Sequence, residues 1–384
     1  SIISRRSAMD YGRVESALGL TGGSDAFRES FPVSDALMPG ILFFLDPAFL
    51  GRACDTLKLD DDARAALLRA AAEAQVRPEL ARLLWHFHAL LFKQPQLPEI
   101  PVAQWPALGS GLKPLDAGLN LCVALSGLPL SSKFNRDRSI PAAVEAATWS
   151  DVRLWVEYLK KQEGLHGVSR RIVGWLRNHF TGRLYRLGRL QFMPARFPGF
   201  CHVYRTVEGR VLAFSGQHPI HPSGKVMQGF HKKEMAGSDE VLMPGHPVLD
   251  VHIPEGGALT VDVCRESLER ALEFYGFYFR GEHYRGFLCV SWLLDPVLAD
   301  LLRPESNIIK FQNQFYCFPV PDAHTEAIWR VFGTETLDLA TAPRDNSIRR
   351  AMLAHLEKGG TFKDGGGFIL NEEAHRFGES PYRV

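Results

Sequence analysis

Asp250 and His252 stand two residues apart in the run VLDVHI, and Pro254-Glu255-Gly256-Gly257-Ala258-Leu259-Thr260 follows directly. Leu249, Val251 and Ile253 alternate with Asp250 and His252, the pattern of a strand with one apolar and one polar face. Residues two apart on a strand share a face, so Asp250 can orient His252 or pair with its charge. An imidazole titrates near neutrality, which suits it to take a proton during a reaction. A structural pair at a strand edge would use the same two residues. Pro254 ends the strand, and Glu255, Gly256 and Gly257 turn the chain. Thr260 is placed to cap a helix, with Asp262 in its first turn and Leu268, Ala271, Leu272 and Tyr275 at helical spacing. A glycine turn feeding a helix N-terminus presents backbone N–H groups to anions such as phosphate. An ordinary strand-to-helix connection has the same composition.

A second set of residues points to metal chemistry. His218, His221, His231, His246 and His252 fall in one loop-rich segment, with Glu234, Asp239 and Asp250 as carboxylates. The spacing His218-x-x-His221 is ligand-like, and a metal-dependent hydrolase would draw on such a cluster. Pro219 breaks that pair, and no H-E-x-x-H signature occurs, so no metal is expected. Nor is there a G-x-x-x-x-G-K-[ST] loop or a G-x-S-x-G elbow. His86 and His88 lie two apart in a helical stretch, point to different faces and read as core histidines. Cys264 and Cys289 read as inert buried thiols.

The elements that must position these residues divide into two kinds. Residues 10–150 are rich in helix formers, with Asp61 to Ala74 and ELARLLWHFHALLF as examples. Leu130 to Pro141 reads as a loop, and Trp149 to Lys161 as a helix capped by Ser150. A soft boundary is placed near residue 150. Past Ser169 the pattern changes to strands: RLYRLGRLQF as one strand, FCHVYRTVEGRVLAF as a hairpin, then a long loop from Gly216 to Pro247. The strand–turn–helix above comes next, then GFLCVSWLLD, the helix NIIKFQNQF, and YCFPV with AIWRVFG as paired strands. Gly365-Gly366-Gly367 reads as a flexible tail.

Composition excludes several classes. The 384 residues carry a formal net charge of +1, so there is no global field for nucleic acid, and the arginines between Arg170 and Arg189 read as a solvated or domain-interface face. Six scattered cysteines form no C-x-x-C pair. No apolar run is long enough for a membrane span, Ser1 to Ala8 lead into no signal-peptide core, and the cytoplasm is the expected location.

The order of elements resembles the core of the GNAT superfamily of acyl-CoA-dependent N-acyltransferases. The phrases RLYRLGRLQF, FPGFCHVY, LDVHIPEGGALT, CVSWLLDP and SNIIKFQNQF are similar to those of bacterial proteins that pair a helical N-acyltransferase N-terminal domain with a GNAT-like C-terminal domain. The resemblance implies an α+β protein, with a helical domain over 1–150 and a GNAT-like, mixed-sheet, acyl-CoA-binding domain over 151–384. It implies transfer of an acyl group from acyl-CoA to an amine of a small molecule that enters between the domains along 216–247. Glu255, Gly256, Gly257, Ala258, Leu259 and Thr260 would hold the pyrophosphate. His252 would be the base, with Asp250 beside it. Tyr316, or Ser306, would lie where superfamily members protonate the leaving thiolate, although the matching position falls nearer Phe311 to Phe315. Ser291 and Trp292 could line the acyl pocket. The superfamily's usual loop signature opens on Gln or Arg, and this chain has neither there. Arg265, Arg196 or Arg205 could supply the missing charge. A non-catalytic domain of the same shape, sensing a small molecule, fits the weak loop signature too.

Overall fold

The first half of the chain is helical because its caps and apolar stripes are local. The helices are α1 (Tyr11–Leu18), α2 (Asp25–Ala36), α3 (Pro47–Leu57), α4 (Asp61–Val76), α5 (Pro78–Phe92), α6 (Asp116–Leu125), α7 (Leu128–Asp137), α8 (Ala142–Glu163) and α9 (Arg170–Phe180). The structure is a computed structural model and describes residues 9–93, 96–228, 237–321 and 324–383. Ser24, Asp46 and Asp60 cap α2, α3 and α4 through their side chains, and Pro47 and Pro78 open α3 and α5. Helix α5 is buried nearly all round. His86 Nδ1 lies 2.6 Å from the Ser34 hydroxyl and His88 Nδ1 2.7 Å from that of Ser126, so both are satisfied core residues.

Two sequence expectations in this half are corrected. Leu130 to Pro141 is not a loop, since α7 runs through most of it. Its Leu128, Ser131 and Asn135 turn inward, and Ser131 accepts from Trp149 Nε1 at 2.9 Å while Asn135 donates to Glu145 at 2.8 Å. Tertiary hydrogen bonds hold a helix that its polar composition disfavours. Helix α8 starts at Ala142, well before Ser150, whose hydroxyl donates back to the Ala147 carbonyl.

Two compact units divide at Tyr185 and Arg186, and residue 150 lies inside α8. The second unit holds β1 (Tyr185–Leu187, beginning at the boundary), β2 (Leu190–Arg196), β3 (His202–Arg205), β4 (Val211–Ser215), β5 (His218–Ile220), β6 (Asp239–Leu242), β7 (Pro247–His252), α10 (Val261–Tyr278), β8 (Gly286–Ser291), α11 (Val297–Leu301), α12 (Asn307–Gln312), β9 (Tyr316–Pro319), α13 (Ala327–Phe332), α14 (Ser347–Glu357) and β10 (Gly365–Leu370). One sheet has the order β1-β2-β7-β8-β10-β9 and a smaller one β5-β4-β3-β6. Both contribute to one core, in which Val203, Ala213 and Leu242 of the small sheet meet Val248, Leu288, Phe318 and Phe368 of the large one.

Four further expectations change here: Gly216 to Pro247 is not all loop, since β5 and β6 lie within it. RLYRLGRLQF is two strands, because Gly188 takes φ 82° and folds β1 back beside β2. AIWRVFG is helix α13, not a strand. Gly365-Gly366-Gly367 is no tail but the first half of the fully buried β10, paired on both sides. A Cβ on Gly365 would lie 2.1 Å from the Leu294 carbonyl oxygen, and one on Gly366 would lie 2.2 Å from the Phe318 ring. Close approach, not flexibility, is what these glycines permit.

Candidate active site

Strand β7 forms where the alternation placed it. Val248, Leu249 and Val251 are buried, and Asp250 and His252 are half-buried. It runs antiparallel to β2 through its whole length, from Arg196↔Pro247 to Gln191↔His252. Its parallel pairing with β8 comprises only Leu249↔Phe287 and Asp250↔Leu288. Past that point β7 stays with β2, and β8 stays with β10 through Ser291. The sheet therefore opens between its two central strands. Continued register would set Val290 against His252, yet Val290 is 43% exposed in the middle of a six-stranded sheet. Val290 thus lies beside the end of that pairing with its side chain exposed.

His252 stands at the lip of that opening. Its Nε2 lies 3.1 Å from Asp250 Oδ2, so the spacing of two on one face does bring the pair together. The connection that follows is exposed from Glu255 to Ala258. Gly256 and Gly257 take φ 82° and 74°, the left-handed region that glycine enters freely. Thr260 is the N-cap of α10 by its extended backbone, without a side-chain cap bond, and Asp262 sits in the first turn.

The arginines named from sequence are engaged elsewhere. Arg196 pairs with Glu282, and Arg205 with Glu372 and Glu373. Arg265 bonds Asp262 and the Phe377 carbonyl. The residue on the loop is Arg189, from the β1–β2 turn. It donates from Nη1 to the Pro254 carbonyl at 2.9 Å, from Nη2 to that of Gly257 at 3.2 Å, and from Nε to that of Ala258 at 3.3 Å. The expectation that Arg189 belongs to a solvated or domain-interface face is thus corrected. The Ser267 hydroxyl of α10 accepts from the Arg189 and Leu190 amides, at 2.8 and 3.3 Å, and anchors the turn. No sequence signal links residues so far apart.

Other residues named from the sequence have partners of their own. Tyr316 is buried, its hydroxyl donating to the Ile220 carbonyl and accepting from the Ala213 amide, and burial pushes its pKa up to about 12. Strand β9 lies three strand spacings from β7, on the order of 14 Å. Ser306 caps α12 through Ile309 N–H. Ser291 caps the turn at Trp292–Leu294, and Trp292 packs on the cluster around Leu298 and Met352. Burial pushes the Cys264 thiol up to about 12 and raises that of Cys289 well above its ordinary value. One pair was missed. His202 Nδ1 lies 2.9 Å from Glu240 Oε1, which also accepts from the Tyr204 hydroxyl at 3.1 Å. It depends on β3 pairing with β6 across a long connection, which no local pattern announces.

The metal cluster does not assemble among the described residues, where no three His, Cys, Asp or Glu side chains form a ligand group. His221 is bound to Ser223 within a turn, and His246 Nδ1 accepts from the Met243 amide. His231 and Glu234 lie outside the described residues.

A helical unit followed by a mixed sheet that opens beside a glycine turn and a helix N-terminus defines the class. Family models match in that order: the N-acyltransferase N-terminal domain over residues 48–182 and the GNAT-like C-terminal domain over 184–369. The chain belongs to the GNAT-like acyltransferase family that pairs these two domains. No curated protein matches it. Three similar solved structures are an acyltransferase in complex with decanoyl-CoA and teicoplanin (24% identity, TM-score 0.72), an acyltransferase in complex with CoA and 10C-teicoplanin (24%, 0.71), and an acyltransferase mutant in complex with octanoyl-CoA (24%, 0.71). Each match covers 94% of this chain and 99% of the other. At that identity the likeness is one of fold. No described helix is long and apolar enough to cross a membrane.

Proposed function

We propose that this protein transfers an acyl group from acyl-CoA to an amine of a small molecule. The observation that carries the reading is the opening between β7 and β8, with His252 at its lip, exposed Val290 across it and the loop before α10 at its end. The opening suits an extended thioester arm, and the helix N-terminus suits its pyrophosphate. The similar structures crystallised with acyl-CoA, and with teicoplanin beside it, support a thioester donor and a small-molecule acceptor.

In this reading His252 takes a proton from the acceptor ammonium, and the amine attacks the thioester carbonyl. Asp250, 3.1 Å away, stabilises the imidazolium that results. The tetrahedral intermediate expels the CoA thiolate, which takes up the second proton that the attacking nitrogen sheds as it becomes an amide. Tyr316 is given no part in that last transfer, because its hydroxyl is committed to backbone groups in the core. The loop Glu255–Thr260 holds the pyrophosphate. The boundary between the two domains is placed at Tyr185 and Arg186.

The test is isothermal titration with octanoyl- and decanoyl-CoA, followed by mass-spectrometric detection of transfer to a panel of amines. Micromolar binding with amide product is expected, and His252→Ala should lose on the order of 10²–10⁴-fold in rate while binding the donor normally. Full turnover by a folded His252→Ala removes that assignment. If His202→Ala then loses activity instead, the His202–Glu240 pair takes the base role. Binding without transfer to any amine favours a sensing function.

A further inference from the structure

The loop before α10 lacks the basic residue that the superfamily's signature places at its start, and yet a guanidinium contacts three of its carbonyls. In a trans peptide the C=O of one residue and the N–H of the next point in opposite directions. With the Pro254, Gly257 and Ala258 carbonyls turned onto Arg189, the amides of Glu255, Ala258 and Leu259 are turned to the other side. Among the described residues none of these three amides meets a backbone acceptor. Each lies in or beside the exposed stretch that ends at the α10 N-terminus. Free N–H groups beside a helix N-terminus attract anions.

We infer that Arg189 is the positioning residue of the phosphate site, a role that rests on the acyl-CoA reading above. It acts from behind the loop and does not touch the ligand. Its fork fixes the direction of three amides, and its positive charge adds to that of the helix N-terminus on the same short segment. Its own place is set by the Ser267 hydroxyl and by Gly188, at φ 82°, where a Cβ would lie 2.8 Å from that hydroxyl. The charge absent from the loop's own sequence thus enters from a turn some seventy residues earlier. Removing the fork should weaken the hold on the phosphate-bearing part of the donor and leave the hold on the rest unchanged.

Octanoyl-CoA and octanoyl-pantetheine, which lacks the phosphates, separate this from a general structural role. Dissociation constants are measured by titration for the full chain, Arg189→Met and Arg189→Lys, with thermal unfolding followed in parallel. The wild type should prefer octanoyl-CoA. Arg189→Met should bind octanoyl-CoA about tenfold or more weakly, octanoyl-pantetheine unchanged. Arg189→Lys keeps the charge but cannot reach three carbonyls, and should fall between. If either folded variant keeps the wild-type preference, or loses affinity for both donors alike, the inference is overturned while the acyl-CoA reading stands. If the wild type itself treats the donors alike, the phosphate reading fails and this inference with it.

Discussion

At the scale of single residues, environment decides which reactive types remain reactive. Tyr316 has the right chemistry for an acid, but its hydroxyl serves Ile220 and Ala213 in the core. Tyr316→Phe should therefore lower stability by about 1–3 kcal/mol, the cost of two buried backbone groups losing a partner. Urea unfolding reads this, and octanoyl-CoA binding should not move. A variant of unchanged stability that no longer transfers acyl groups would return Tyr316 to the site. Asp250 and His252 were legible because strand alternation is local, so a spacing of two implies a shared face. Arg189 was not, because what it touches is set by a hairpin and a helix distant in the chain. His202 and Glu240 were hidden for the same reason, meeting only once β3 and β6 pair.

At the scale of elements, the glycines of β10 show where composition misleads. A run of three reads as flexible, yet each of them lies where a side chain has no room. Gly365→Ala should cost about 3 kcal/mol or more, since the Leu294 carbonyl oxygen that a Cβ would meet at 2.1 Å is backbone and cannot step aside. Gly276→Ala is the contrast. It lies inside α10 with nothing within 4 Å of the added carbon, and should gain about 0.5–1 kcal/mol from helix propensity. Thermal melts of both test the sign as well as the size, and equal effects would mean that close packing is not what these strand glycines provide. The opening of the sheet also belongs to this scale. Strand existence could be read from alternation, whereas the end of β7–β8 pairing at Asp250 and Leu288 is a property of the assembled sheet.

At the scale of the whole chain, the site's working range is bounded by a region that has no part in the chemistry. Helix α5 carries His86 and His88 in the core of the first unit, where loss of solvent pushes their pKa values down to about 4 and about 3. Lys93 adds a smaller repulsion at His88. Both values lie below those of the unfolded chain, so between about pH 6.5 and the folded values the unfolded state binds more protons. Stability is then complete above about pH 6.5 and declines as pH falls, by about 1.4 kcal/mol per pH unit for each histidine. The expected outcome is a urea midpoint that drops steadily from pH 7 to pH 5, before carboxylates begin to titrate. His88→Gln removes one titrating group and should make the slope shallower, whatever it does to stability at pH 7, because only the difference in proton uptake sets the slope. An unchanged slope in that variant would mean that the histidine is protonated in the folded protein, and that the core tolerates its charge. A shallower slope would place part of the acid lability in the helical unit, apart from the site.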